Sequence, residues 1–174
     1  EFYRLFLYHL RHSSDQFVVA PGVEGMVMHV FTLPSYPYVF KIIKDRFHPN
    51  KKVTRQNVKD CYHLVKQLDR VGRMADTWEF SQVAFPLARF SKASLQALTE
   101  YCADNMSIEA DQLIIHHVYI ERRMIPLNLY INTCGDDERS RILDDYGQAI
   151  RDIAAAGIFP GDLLLKNFGV TSHG

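Results

Sequence analysis

Three β-prone runs, at residues 17–20, 26–33 and 38–43, follow one another with only Pro- and Gly-bearing breaks between them. Parallel strands need a crossover of about a dozen residues or more, so breaks this short dictate an antiparallel meander. Ahead of it, Phe2, Leu5, Phe6, His9 and Leu10 recur at helical spacing until Ser13-Ser14-Asp15 interrupts them. After it the period changes. Val58, Cys61, Tyr62, Val65 and Leu68 line one face of a helix over 53–69, which Asp69-Arg70-Val71-Gly72-Arg73 stops. Strands at 78–85 and 113–120 are predicted to flank a helix near 92–102. A last helix carries Ile142, Leu143, Tyr146, Ile150 and Ile153, with Asp136 or Asp137 as its cap, Gly157 at its C′ position and Pro160 barring continuation. A sheet-rich first half followed by a helical second half predicts an α+β fold with two lobes.

Charge narrows the partners. Lys plus Arg and Asp plus Glu are both 20, for a formal net charge of zero. Nucleic acids and anionic membranes are held mainly by clustered positive charge, so a protein or a compact ligand is the expected partner. No apolar stretch approaches a membrane span, and the opening residues lack the pattern of a signal peptide. Cys61, Cys102 and Cys134 form no CxxC pair and suit a reducing cytoplasm. His116-His117 has no metal-ligand spacing, and strand neighbours face opposite ways, so the pair is read as structural. Both ends, at Glu1 and at Ser172-His173-Gly174, read as cut.

Three elements can carry chemistry. The first is Ala20-Pro21-Gly22-Val23-Glu24-Gly25-Met26-Val27, between two strands. Its glycines admit close backbone approach and its N–H groups can cradle phosphate oxygens, although two glycines between strands equally suit a plain hairpin. The second is Lys41, inside the apolar run 38–43 and 19 residues after Gly22. An ammonium there calls for a negative partner, and a nucleotide phosphate is one; an edge-strand lysine reaching for water is the bland alternative. In a kinase a helix glutamate orients this lysine, but the helix over 53–69 offers only Asp60 and Asp69, so either Asp60 or a carboxylate from elsewhere, such as Glu79, is expected to substitute. The third is Ile158-Phe159-Pro160-Gly161-Asp162-Leu163-Leu164-Leu165-Lys166-Asn167-Phe168-Gly169. It has the D-x-x-x-x-N spacing of a kinase catalytic loop, in which the Asp accepts the substrate hydroxyl proton and the Asn holds Mg²⁺. Lys166 can steady the phosphoryl group, and residues 163–165 are expected to anchor the loop in the core. Pro160-Gly161 stands where kinases have His-Arg. Asp76-Thr77-Trp78-Glu79 reads by itself as a capping box.

Together with Thr32-Leu33-Pro34-Ser35-Tyr36-Pro37, the stretch from Asp69 to Phe80 and Tyr119-Ile120-Glu121-Arg122-Arg123-Met124, these blocks resemble the isocitrate dehydrogenase kinase/phosphatase family across almost the whole chain. The resemblance implies a bacterial, cytoplasmic enzyme with ATP or ADP and Mg²⁺ as cofactors. It would phosphorylate a serine of isocitrate dehydrogenase and reverse that step, controlling entry to the glyoxylate bypass. It implies a protein-kinase-like two-lobed fold, with residues 1–16 leading in from a regulatory domain, 17–120 as the N-lobe, and 121–174 as hinge and partial C-lobe. On the matching positions, Ala20, Pro21, Gly22, Val23, Glu24, Gly25, Met26 and Lys41 would bind ATP. Residues 119–124, Glu121 and Met124 among them, would form the hinge beside adenine. Asp162 would be the kinase base, Asn167 a metal ligand, and Asp76 the aspartate tied to dephosphorylation. Two other readings stand beside this one: a catalytically incompetent nucleotide-binding fragment, since only seven residues follow Asn167, and a small-molecule kinase of the aminoglycoside type.

Overall fold

The computed structural model describes residues 2–22, 24–47, 53–161 and 163–171. The chain is α+β and divides into two compact units, one of residues 1–55 and 76–122, the other of residues 56–75 and 123–174.

The first unit is built on an antiparallel sheet. Its strands are β1 (Val18–Val19), β2 (Met28–Thr32), β3 (Tyr38–Ile43), β4 (Thr77–Pro86), β5 (Met106–Glu109) and β6 (Gln112–Arg122), with helices α1 (Phe2–His12) and α3 (Lys92–Cys102). The sheet order is β1-β2-β3-β6-β4, so the expected meander forms and β6 becomes the central strand. One edge of β6 is shared: β3 pairs along Tyr119–Arg122 and β5 along Gln112–Ile115. The β5–β6 hairpin is not among the expected elements. Its connection is Ala110-Asp111, with Ala110 at φ +53, and no glycine marks the turn.

Aromatic rings fill the space between the sheet and the two helices. Phe6, Phe17, Phe31, Phe40, Phe85 and Phe90 belong to one buried cluster with Leu98, Leu113, Ile115, Val118 and Ile120. Phe17 stacks on Phe90 at 4.6 Å between centroids and meets Phe85 edge-on at 5.4 Å, arrangements that suit the ring quadrupoles. The guanidinium of Arg89 donates to Leu10 O (2.6 Å), Asp15 O (2.7 Å) and Ser13 Oγ (3.2 Å), closing the end of α1. Ser91 caps α3 by accepting from Ser94 N.

The inward-facing set changes parity along β4 and β6. Phe80, Val118 and Ile120 face the cluster on one side of a single rung, and Val83, Phe85, Leu113 and Ile115 on the other. Strict alternation cannot do this. Gln82, at φ +54 between the paired rungs Ser81↔His117 and Val83↔Ile115, marks the point where the faces exchange.

The second unit holds most of α2 (Arg55–Leu68), the short helix α4 (Leu127–Tyr130), α5 (Asp136–Ala155) and a two-stranded ribbon of β7 (Ile125–Pro126) with β8 (Gly169–Val170). Of the face predicted for α2, Val58 is buried and Tyr62, Val65 and Leu68 are half-buried, but Cys61 is exposed. Gly135, not Asp136 or Asp137, caps α5, and it makes no side-chain bond. The two aspartates and Glu138 occupy the first turn, where their charge complements the helix dipole. The far end of α5 meets expectation. Gly157, at φ +78, donates to Ala154 O and Ile158 N donates to Ile153 O, while Ile153 and Ile158 are both buried, which makes a Schellman ending. Among the described residues no helix is long and apolar enough to cross a membrane.

Candidate active site

The loop between β1 and β2 is tied at several points. Ala20 N donates to Val30 O at 2.9 Å, and the chain bends at Pro21-Gly22. At Gly25 an added Cβ would lie 2.7 Å from Met28 O, so no side chain fits while the loop keeps this course. Val23 lies outside the described residues; Met26 is exposed. Glu24 is exposed but tied to Lys44, whose Nζ donates to its Oε1 at 2.5 Å and whose backbone N donates to Val27 O. That hydrogen bond, and then the Lys44 charge, hold the Glu24 carboxyl below its ordinary range. The Lys44 side chain is only 8% exposed, with its ammonium 4.2 Å from the centroid of the Tyr101 ring. Sequence reasoning missed Lys44. It falls just beyond β3, outside the apolar run that marks Lys41.

His29 sits beside this tether, 3% exposed, with no hydrogen-bond partner on Nε2. Burial first, and then the Lys44 ammonium, push its pKa below the ordinary 6.5, with Glu24 opposing. Below pH 6.5 the unfolded chain takes up a proton that folded His29 resists. His29 therefore contributes stability that is complete above that pH and declines as the pH falls beneath it. Thermal melts at about pH 7.5 and about pH 5 are expected to show a loss at the lower pH that shrinks in His29→Leu; an equal loss in both proteins excludes His29 as its source.

Lys41 has a carboxylate from elsewhere than the helix, though it is not Glu79. Asp60 accepts from Gln56 Nε2 (2.7 Å), and Glu79 is bonded to His117 Nε2 (2.7 Å). The partner is Glu121, whose Oε2 accepts from Lys41 Nζ at 2.5 Å, the two side chains being 6% and 26% exposed. β3 and β6 are neighbours in the sheet, with Lys41 opposite Tyr119 and Val39 opposite Glu121, so the pair is diagonal. Glu121 Oε1 also accepts from Thr77 Oγ1 at 3.1 Å, on the other flanking strand. Tyr119 is fully buried, and burial followed by the Glu79 charge pushes its hydroxyl up to about 12. His116 lies 3.4 Å from Ser107 Oγ, so the two histidines have different partners.

Asp76 is exposed and stands just ahead of β4. The capping-box reading of Asp76-Thr77-Trp78-Glu79 fails, because Asp76 leads into a strand and not a helix. The preceding turn is organised by Asp69. Its Oδ1 accepts from Gly72 N at 2.8 Å and its Oδ2 from Met74 N at 3.1 Å. Arg73 then forks onto Asp152 (2.9 Å) and Asp145 (3.1 Å) of α5.

In the second unit Lys166 and Asn167 lie exposed on a 3-10 turn, Leu165–Asn167, where Asn167 N donates to Leu164 O at 2.9 Å. Asp162 lies outside the described residues. Leu163 (46% exposed) and Leu164 (53%) do not anchor this loop in a core, contrary to expectation. Polar and aromatic staples do so instead. Tyr146 Oη donates to Leu163 O (2.8 Å), its ring meets Phe168 edge-on, and Phe168 O accepts from Leu127 N. Met124 is half-buried, one residue before β7.

The isocitrate dehydrogenase kinase/phosphatase (AceK) kinase domain family matches residues 15–174. Curated proteins named isocitrate dehydrogenase kinase/phosphatase are similar along the entire chain. The one from Idiomarina loihiensis is 58% identical over 173 residues, which is 99% of this chain and 31% of that protein. The Methylibium petroleiphilum protein is 54% identical over 174 residues, 100% of this chain and 28% of its own length. A Pseudoalteromonas translucida protein, named isocitrate dehydrogenase kinase/phosphatase 2, is 57% identical over 99% of this chain and 30% of its own length. The chain thus spans about three-tenths of the length of the curated relatives it matches.

Proposed function

The chain belongs to the isocitrate dehydrogenase kinase/phosphatase (AceK) kinase domain family, and from that premise we propose that it supplies the nucleotide-binding and phosphoryl-transfer part of a bifunctional enzyme. The enzyme phosphorylates a serine of isocitrate dehydrogenase in the bacterial cytoplasm, gating the glyoxylate bypass, and also removes that phosphate. In this reading residues 17–120 form a kinase-like N-lobe and residues 121–174 the hinge and part of the C-lobe.

The observation that supports it best is Lys41, held by a buried carboxylate on a strand whose neighbouring turn is the glycine-bearing loop. Backbone N–H groups of residues 20–26 cradle the phosphates of ATP or ADP, and Lys41 stabilises the charge that spreads over them. Backbone at 119–124, with Glu121 and Met124, lies against the adenine. Asp162 accepts the proton of the attacking serine hydroxyl as its oxygen bonds to the γ-phosphorus and ADP departs, while Lys166 steadies the transferring group. In the reverse direction Asp76 orients a water against the phosphoserine, releasing phosphate. Among the described residues no three His, Cys, Asp or Glu side chains gather to cage a cation. Asn167 offers a single amide oxygen, which suits Mg²⁺ held mostly by nucleotide phosphates. The ion, when bound, neutralises phosphate charge.

The test is transfer of labelled phosphate from ATP to purified isocitrate dehydrogenase by a full-length protein containing this chain, followed by its release. Labelling of that acceptor and nucleotide-dependent release are expected. No labelling overturns the reading, and labelling of aminoglycosides instead favours a small-molecule kinase.

A further inference from the structure

Glu121 stands between two elements to which the proposed function gives opposite jobs. It lies on the central strand, 4% exposed, and each of its oxygens serves a different flanking strand. Oε2 takes the Lys41 ammonium at 2.5 Å and Oε1 takes the Thr77 hydroxyl at 3.1 Å. One rung of the sheet aligns Val39, Glu121 and Thr77, and the next but one, on the same face, aligns Lys41, Tyr119 and Glu79. Thr77 opens β4, and the residue before it is Asp76. A single carboxylate therefore reaches both the lysine assigned to the nucleotide and the residue bonded to the aspartate assigned to dephosphorylation.

We propose that Glu121 is a shared positioning residue, which sets the Lys41 ammonium for the nucleotide and, through Thr77, sets Asp76 for dephosphorylation. The inference rests on the proposed roles of Lys41 and Asp76. A carboxylate has lone pairs enough for both donors, and its low exposure leaves its orientation to those partners rather than to water. A phosphate drawing the ammonium toward itself loosens one arm of the carboxylate and strengthens its claim on the other. Nucleotide occupancy is thereby felt at Thr77 and at the residue beside it. This gives a direct route by which a nucleotide can be required for removing a phosphate as well as for adding one. The carboxylate comes from the same sheet as the lysine, so the pair is set by strand register.

The experiment uses the full-length protein carrying this chain, with both activities and nucleotide affinity measured for Thr77→Val, Thr77→Ser, Glu121→Gln and the double variant Thr77→Val/Glu121→Gln. Thr77→Val removes one arm only. Because displacement of a reacting group by about an ångström can cost about 100-fold, a loss of about tenfold in the dephosphorylation kcat is expected. Nucleotide affinity should stay within about twofold, since Lys41 keeps its partner. Thr77→Ser restores the rate, which a purely steric role for the methyl group would not allow. The double variant should lose no more dephosphorylation activity than the worse single one, because both changes break the same bridge. An unaltered dephosphorylation rate in Thr77→Val, or single losses that multiply in the double variant, overturns the proposal. If Asp76→Ala itself dephosphorylates normally, the role of Asp76 has failed, and that result identifies itself separately.

Discussion

Lys41→Met in the full-length protein is expected to abolish detectable nucleotide binding and to lower phosphoryl transfer by about 100- to 1,000-fold, the usual cost of losing one aimed charge from a water-excluded site. Met is close to Lys in length and packs against the same neighbours, so the strand should keep its register. The change leaves Glu121, 4% exposed, without its cation, and some stability should be lost with it. Calorimetric nucleotide titration together with a melting curve separates the two effects. A protein that still melts cooperatively but no longer binds nucleotide supports the assignment. Unchanged affinity removes Lys41 from the site.

The largest effect on stability should come from Phe17→Ala. Phe17 is fully buried and its ring meets Phe6, Phe31, Phe40, Phe85 and Phe90. Its backbone also joins the meander to the segment before α3, with its N–H donating to Arg89 O and its carbonyl accepting from Ser91 N. Truncation forfeits the transfer energy and leaves a cavity among rings too large to close it, a cost of about 3–5 kcal/mol. Urea unfolding measures this directly. Phe159→Ser provides the contrast. Phe159 is 79% exposed, and its replacement should change stability by no more than about 0.5 kcal/mol.

Legibility in the sequence was governed by distance along the chain. β3 at Tyr38–Ile43 and α3 at Lys92–Cys102 match their expected bounds, because both announce themselves through local period and composition. The α+β class came from the order of such elements. β5 escaped because it is four residues long and its turn uses Ala110 in the left-handed region, where glycine or asparagine would have been the visible signal. The partner of Lys41 was left open for another reason. Glu121 is 80 positions away, and only the sheet order brings it alongside. Asp60 on α2 and Glu79 on β4 are nearer along the chain, yet each has another partner. The capping-box pattern at Asp76 misled in the same way, since four residues that suit a helix start can equally open a strand.

The exchange of inward faces at Gln82 bears on how such chains can diverge. β4 and β6 reverse their buried parity at one common rung. An insertion or deletion of one residue in either strand would turn half of its aromatic and aliphatic contacts outward unless the other strand changed to match. The two strands are therefore free to drift in composition at their exposed positions but can alter their length only in concert, and related chains should show gaps in both or in neither.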